Sequence, residues 1–168
     1  DFPTTDTPQY IQFTGGPHIG TVYDSNNNRE SNLKIDGSKG NTIEFWLKKD
    51  EASFYPSSGR AEVIFKASTP GFGINDEEYG QIAVYLQNGG VSDSPIAVSY
   101  QSGSQRLGPG HTALQRIGSS TVTKSSVGDN KWHHYAITAQ TSGSVTVFKL
   151  FVDGKLDDTN DLTAPPTP

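Results

Sequence analysis

Apolar residues along this chain fall into short sets spaced two apart. Ile43, Phe45 and Leu47 alternate with Glu44, Trp46 and Lys48 in TIEFWLK. Ile82, Val84 and Leu86 share one side, with Ala83 and Tyr85 on the other, and Ile96, Val98 and Tyr100 repeat the arrangement. Tyr135, Ile137 and Ala139 form another set, as do Phe148, Leu150 and Val152; Ile11 with Phe13 and the shorter EVIF (62–65) are weaker ones. A strand turns successive side chains to opposite faces, so a period of two marks strands that bury one face only. No window of about eleven residues or more carries a helical period. Short strands separated by turn residues predict an all-β chain, a sandwich of two antiparallel sheets.

The sharpest local signal is Asp153-Gly154, set between FKLFV and KL. Asp-Gly between β-rich flanks predicts a two-residue type I′ hairpin, because both central positions take positive φ. With 18 Gly and 10 Pro in 168 residues, the chain suits many turns and a single domain. Hydrophobic residues make up 32%, but they are clustered, which fits a folded rather than a disordered chain. The expected organisation is a tail or linker over 1–8, a domain over 9–162 and a Pro/Thr-rich linker over 163–168. Linkers at both ends, with no Met even at position 1, predict one bead of a longer chain, with frayed termini as the alternative.

A formal charge of −5 and the lack of a Lys/Arg-rich run argue against a nucleic-acid partner. No stretch approaches the roughly 20 apolar residues of a membrane span, so no membrane insertion is expected. Zero cysteines exclude disulfides, thiolate metal sites and a thiol nucleophile.

The segment DNKWHHYAITAQTSGSVTVFKLFVDGKLDD (129–158) resembles the C-terminal signature of laminin-G-like, concanavalin A-like jelly rolls. In that family a Trp-His pair opens a strand, and the next strand ends in an Asp-Gly hairpin; Trp132, His133, Asp153 and Gly154 match. QYIQFTGG (9–16) is similar to the family's opening strand, and NTIEFWLKKDE (41–51) to the strand with an aromatic pair that follows it. The resemblance implies two facing antiparallel sheets, loops at one rim and a concave face available to ligands. It also implies a structural His133, bonding a neighbouring turn. It does not fix function, because the fold hosts lectins, hydrolases, adhesion modules and virion parts.

Glycoside hydrolysis requires two carboxylates on either side of the scissile bond. Glucanases of this class carry them as Glu-x-Asp-x-x-Glu on one strand, a pattern missing here, where Glu44 is the acid inside a strong strand. The chain is therefore not expected to be an enzyme. His133 and His134 are adjacent, point to opposite faces and cannot chelate one ion together.

Acidic turns offer oxygen ligands of the kind calcium takes. NDEE (75–78) stands near the position at which many laminin-G-like domains hold calcium, making Asp76 and Glu78 the candidate metal ligands, with a solvated turn as the alternative reading of this and the other acidic turns. DSNNNRE (24–30) and DDTND (157–161) are two further acidic turns. Phe54, Tyr55, Phe72 and Tyr79 lie in Gly/Ser/Pro loops, where large rings mark either a binding rim or a loop folded back on the core. Arg106 and Arg116 sit in a long polar segment (102–128), read as an extended hairpin loop or a partner-contacting arm, where they would serve sugar hydroxyls or carboxylates. Trp46 and Trp132, being inside strands, are expected to be packing residues.

The expectation from sequence is a recognition module for glycans or a protein surface, located outside the cell, on its surface or in a virion. The alternative is a structural or decoration component of a particle or appendage with no soluble ligand. Loops around Phe54, Tyr55, Phe72 and Asp76–Tyr79 are expected to form one functional rim, with calcium as the candidate cofactor.

Overall fold

Each period-two set between residues 41 and 163 forms a strand. The computed structural model describes residues 39–54, 61–68, 80–88, 94–102, 105–107, 115–143 and 145–163. Its strands are β1 (Asn41–Asp50), β2 (Ala61–Ser68), β3 (Gly80–Gln87), β4 (Ile96–Ser102), β5 (Gln105–Leu107), β6 (Gln115–Arg116), β7 (Asp129–Ser142), β8 (Val145–Val152) and β9 (Lys155–Thr163). The strand expected at QYIQFTGG, the acidic segment 24–30 and the terminal segments 1–8 and 164–168 lie outside the described residues.

Two antiparallel sheets result. One has the order β1-β7-β8-β9; the other runs β2-β3-β4-β5, with β6 also pairing β4. The chain leaves the first sheet after β1, builds the second, and returns for β7. Pairing of β1 with β7, through Ile43↔Ile137 and Phe45↔Tyr135, therefore joins segments far apart in sequence. Closing so long a loop costs chain entropy before the contacts repay it, and folds built on such pairings form slowly.

The inner faces meet as the periodicity predicts. Ile137, Phe148 and Leu150 of one sheet and Ile82, Val84, Leu86, Ile96 and Val98 of the other are fully or nearly fully buried in one cluster. Each such side chain is worth about 1.5–3 kcal/mol on burial. Tyr100 meets Phe148 edge-on across the two layers, with ring centroids 6.1 Å apart. Phe45 stacks on its cross-strand neighbour Tyr135 at 5.5 Å. The fully buried hydroxyl of Thr146 is satisfied by Thr141 at 2.9 Å, whose own hydroxyl donates to Tyr100 at 3.4 Å.

Two expectations are corrected. The described part of segment 102–128 is not a solvent-facing arm: Ile117, Val122 and Val127 are core residues. Val127 closes a four-residue helix, α1 (Lys124–Val127), started by a reciprocal Thr123–Ser126 capping box. Nor is DDTND a turn; it belongs to β9. Asp157 and Asp158 are poor strand formers by propensity, but tertiary demand overrides that. Their carboxylates accept from the backbone N–H groups of Ser119 and Gly118, both at 2.8 Å, and Asp157 also takes the Ser119 hydroxyl at 2.8 Å. Those donors lie in an irregular segment with no ladder partner to satisfy them.

The Asp153-Gly154 turn is formed as expected, with φ of 49° and 78°. A Cβ at Gly154 would meet nothing within 4 Å, so a side chain there costs conformation rather than space. Gly128 is the opposite case: its carbonyl accepts from Glu51 N–H at 2.8 Å, and an added Cβ would stand 2.6 Å from Glu51 Cα. Gly154→Val should cost at least the roughly 1–2 kcal/mol of the left-handed region, with β-branching adding to it. Gly128→Ala should destabilise more than Gly154→Ala, because backbone must move. Urea unfolding midpoints of the three variants check both expectations.

Candidate functional site

The sequence-named rim residues divide sharply. Phe54 is 4% exposed and sits in the core, with the Lys49 and Lys124 ammonium groups 4.9 and 5.7 Å from its ring centroid. It is thus the loop ring folded back on the core, and its expected role as an exposed ligand contact is corrected. Tyr55, Phe72, Asp76, Glu78 and Tyr79 lie outside the described residues. The backbone of Arg106 pairs with Gln101 in β5, its side chain lying outside the description. Segments 55–60 and 69–79 adjoin opposite ends of the eight-residue β2, roughly 23 Å apart. Arg116 is committed structurally, its guanidinium donating to the Ser94 carbonyl.

His133 opens the inward-facing row of β7. Its Nδ1 lies 2.8 Å from an Asp153 carboxylate oxygen and its Nε2 3.2 Å from one of Asp129. Only a protonated ring can donate from both nitrogens at once. The hydrogen bond to Asp153 raises the His133 pKa above the ordinary histidine value, against an opposing effect of burial, with Asp129 adding a smaller upward push. In turn the His133 hydrogen bond, followed by the His134 N–H, lowers Asp153. Asp129 is lowered chiefly by the Lys131 backbone N–H. Asp153 also pins the hairpin to β7: its other oxygen accepts from His134 N–H at 2.9 Å, while its own N–H donates to the His134 carbonyl at 2.8 Å. A cleft of about 320 Å³ opens beside this cluster, lined in part by Ser126, Tyr135, Lys155 and Asp157. Burial keeps the Tyr135 hydroxyl protonated. The cluster's carboxylates are already engaged, so its chemistry is that of a clasp.

The outward row of the same sheet is where sequence reasoning missed. Trp46 and Trp132 are 54% and 49% exposed, not packed inside as expected. Because Ile43 and Phe45 point inward, Trp46 must point outward; because Tyr135 and Ile137 point inward, so must Trp132 and His134. Trp46 pairs directly with His134 and lies diagonal to Trp132, which pairs with Lys48. Diagonal neighbours are about 7–8 Å apart, within reach of large rings. His134 leans on Trp46 at 5.2 Å between centroids and 46° between planes, and its Nε2 is 3.8 Å from the Glu44 carboxylate. The next row across the sheet, Ala136–Phe151–Leu156, ends on an exposed Leu156. Two rigid indoles flanked by a carboxylate, an ammonium and an imidazole can stack a flat apolar face while bonding polar groups at its edge.

The family model described as concanavalin A-like lectin/glucanases superfamily matches residues 21–168. The chain belongs to this superfamily. No curated protein and no solved structure matches it. Superfamily membership agrees with the two-sheet architecture, and the Trp-His and Asp-Gly signature takes physical form in the His133–Asp153 clasp. No helix among the described residues is long and apolar enough to cross a membrane.

The clasp gives this superfamily member a defined stability profile. Charged His133, raised in the folded state, stabilises below about pH 6.5 and stops doing so as pH rises through its raised value. Asp129 and Asp153, lowered in the folded state, stabilise above about pH 4 and stop doing so as pH falls through their lowered values. The melting temperature should therefore peak between about pH 4 and about pH 6.5. In His133→Gln the decline on the alkaline side should flatten; scanning calorimetry across pH reads both effects.

Proposed function

We propose that this domain is a non-catalytic recognition module that binds glycans or a protein surface, as one bead of a larger extracellular, cell-surface or virion protein. The observation that carries the reading is the pair of half-exposed tryptophans on one sheet face. Neither belongs to the core cluster of the described residues, and large rings kept about half exposed on a regular strand face suit a binding surface. Membership of a superfamily of lectins and glucanases supports binding in general. Against catalysis stands the missing alternating-acid pattern. Glu44 in β1 faces outward, its carboxylate 3.8 Å from the His134 ring nitrogen.

Calcium belongs to the same proposal, with Asp76 and Glu78 as its ligands. A ligand selective for the folded state must raise the melting temperature.

A glycan array probed with the domain tests the main reading, and binding to at least one glycan is the expected outcome. Strong self-association without any ligand would instead favour an assembly component. Incubation with β-glucans should release no reducing sugar; release that disappears in Glu44→Gln would overturn the non-catalytic assignment. Calcium should raise the melting temperature, and Asp76→Ala with Glu78→Ala should abolish the rise.

A further inference from the structure

We infer that the outer face of β1 and β7 is the ligand surface, with Trp46 and Trp132 stacking on successive rings of a neutral glycan. This deepens the recognition reading and rests on it. Three observations point to that ligand class. First, the two indoles share one face in diagonal register, so a ligand laid across that face meets both rings. A sugar presents an apolar C–H face to an aromatic ring and hydroxyls at its edge, and this surface offers both kinds of partner.

Second, the polar frame is mixed in sign. The Glu44 side chain is 63% exposed, and Lys48 is exposed opposite Trp132. Mixed charge serves hydroxyls as donor and acceptor but does not select an anionic polymer, which a chain of net charge −5 also repels. Third, the apolar area is small and broken. Trp46, Trp132 and Leu156 are the exposed large hydrophobic residues of this face among those described, with charged Glu44 and Lys48 alongside the indoles. A stable protein partner wants about 800 Å² per side around a continuous apolar centre. The face is better matched to a slender ligand laid across two rings.

The chain's two tryptophans are both on this face, so its entire indole fluorescence reports on the proposed site. The experiment titrates the domain with a soluble β-glucan, a xylan and a mannan, with heparin as the anionic comparison. At least one neutral polysaccharide should shift the emission to shorter wavelength as stacking excludes water. Trp46→Ala and Trp132→Ala should each weaken binding roughly tenfold, the size of one lost aromatic stack, and Trp→Phe should weaken it less. Circular dichroism should show both alanine variants folded, since neither ring is in the core. Glycan binding undiminished in the double alanine variant would overturn this inference while leaving the recognition reading in place. A folded domain that binds none of the polysaccharides and none of an array would overturn both. Preferential binding of heparin would overturn the neutral ligand class. Trp46-dependent adhesion to immobilised protein, with no glycan bound, would replace the glycan by a protein partner.

Discussion

A strand that gives one face to a core must give its other face to something else, and this alternation governs the molecule. In β1 and β7 the inward rows, Ile43, Phe45 and Leu47 against Tyr135, Ile137 and Ala139, supply one wall of the sandwich. Fixing those rows leaves no freedom for their neighbours: a one-residue slip would exchange every inward for every outward side chain. Burial of the inner set is worth many times any penalty for exposing two indoles. The core thus dictates the position of the aromatic face without needing the face itself.

Hydrophobic alternation does not close the ends of the sandwich; acidic side chains do. Asp157 and Asp158 tie the 118–119 backbone to β9, and Asp153 ties the last hairpin to the first residues of β7. In each case a carboxylate meets backbone N–H groups that have no ladder partner, an arrangement stronger than a neutral hydrogen bond. Aspartates that would be weak choices for a strand by propensity are therefore well placed here. Clustered acids on this domain serve at least partly as fasteners for irregular backbone.

The strand pattern was legible because period-two spacing is a direct consequence of one-sided burial. The inward sets of β1, β3, β4, β7 and β8 all sit as the spacing predicts. The Asp-Gly turn was legible because few dipeptides tolerate two positive φ angles in succession. What could not be read were contacts between segments distant in sequence. Ile117, Val122 and Val127 follow neither strand nor helix period, since an irregular segment buries whichever residue its path brings inward. Phe54 in a loop gave no sign that two lysines would cover it. Trp46 and Trp132 were a different kind of miss. The alternation that placed Phe45 and Tyr135 inside already sent both tryptophans outside, and treating large rings as core residues overrode a signal present in the chain.

The clasp and the aromatic face are mechanically one structure. His133, held from both sides by Asp129 and Asp153, lies between Trp132 and His134 in sequence. The backbone N–H and carbonyl of His134 are both bonded to Asp153, and the neighbouring strand β1 brings Trp46 directly opposite. Three consecutive residues of β7 thus have an inward clasp at the centre and outward rings on either side. A surface that stacks a ligand gains affinity when its rings are ordered before the ligand arrives, because less freedom remains to be lost on binding. Fixing the start of β7 from inside supplies that order to the rings outside. The same hydrogen bonds that end the last hairpin therefore set how rigidly Trp132 and His134 are presented.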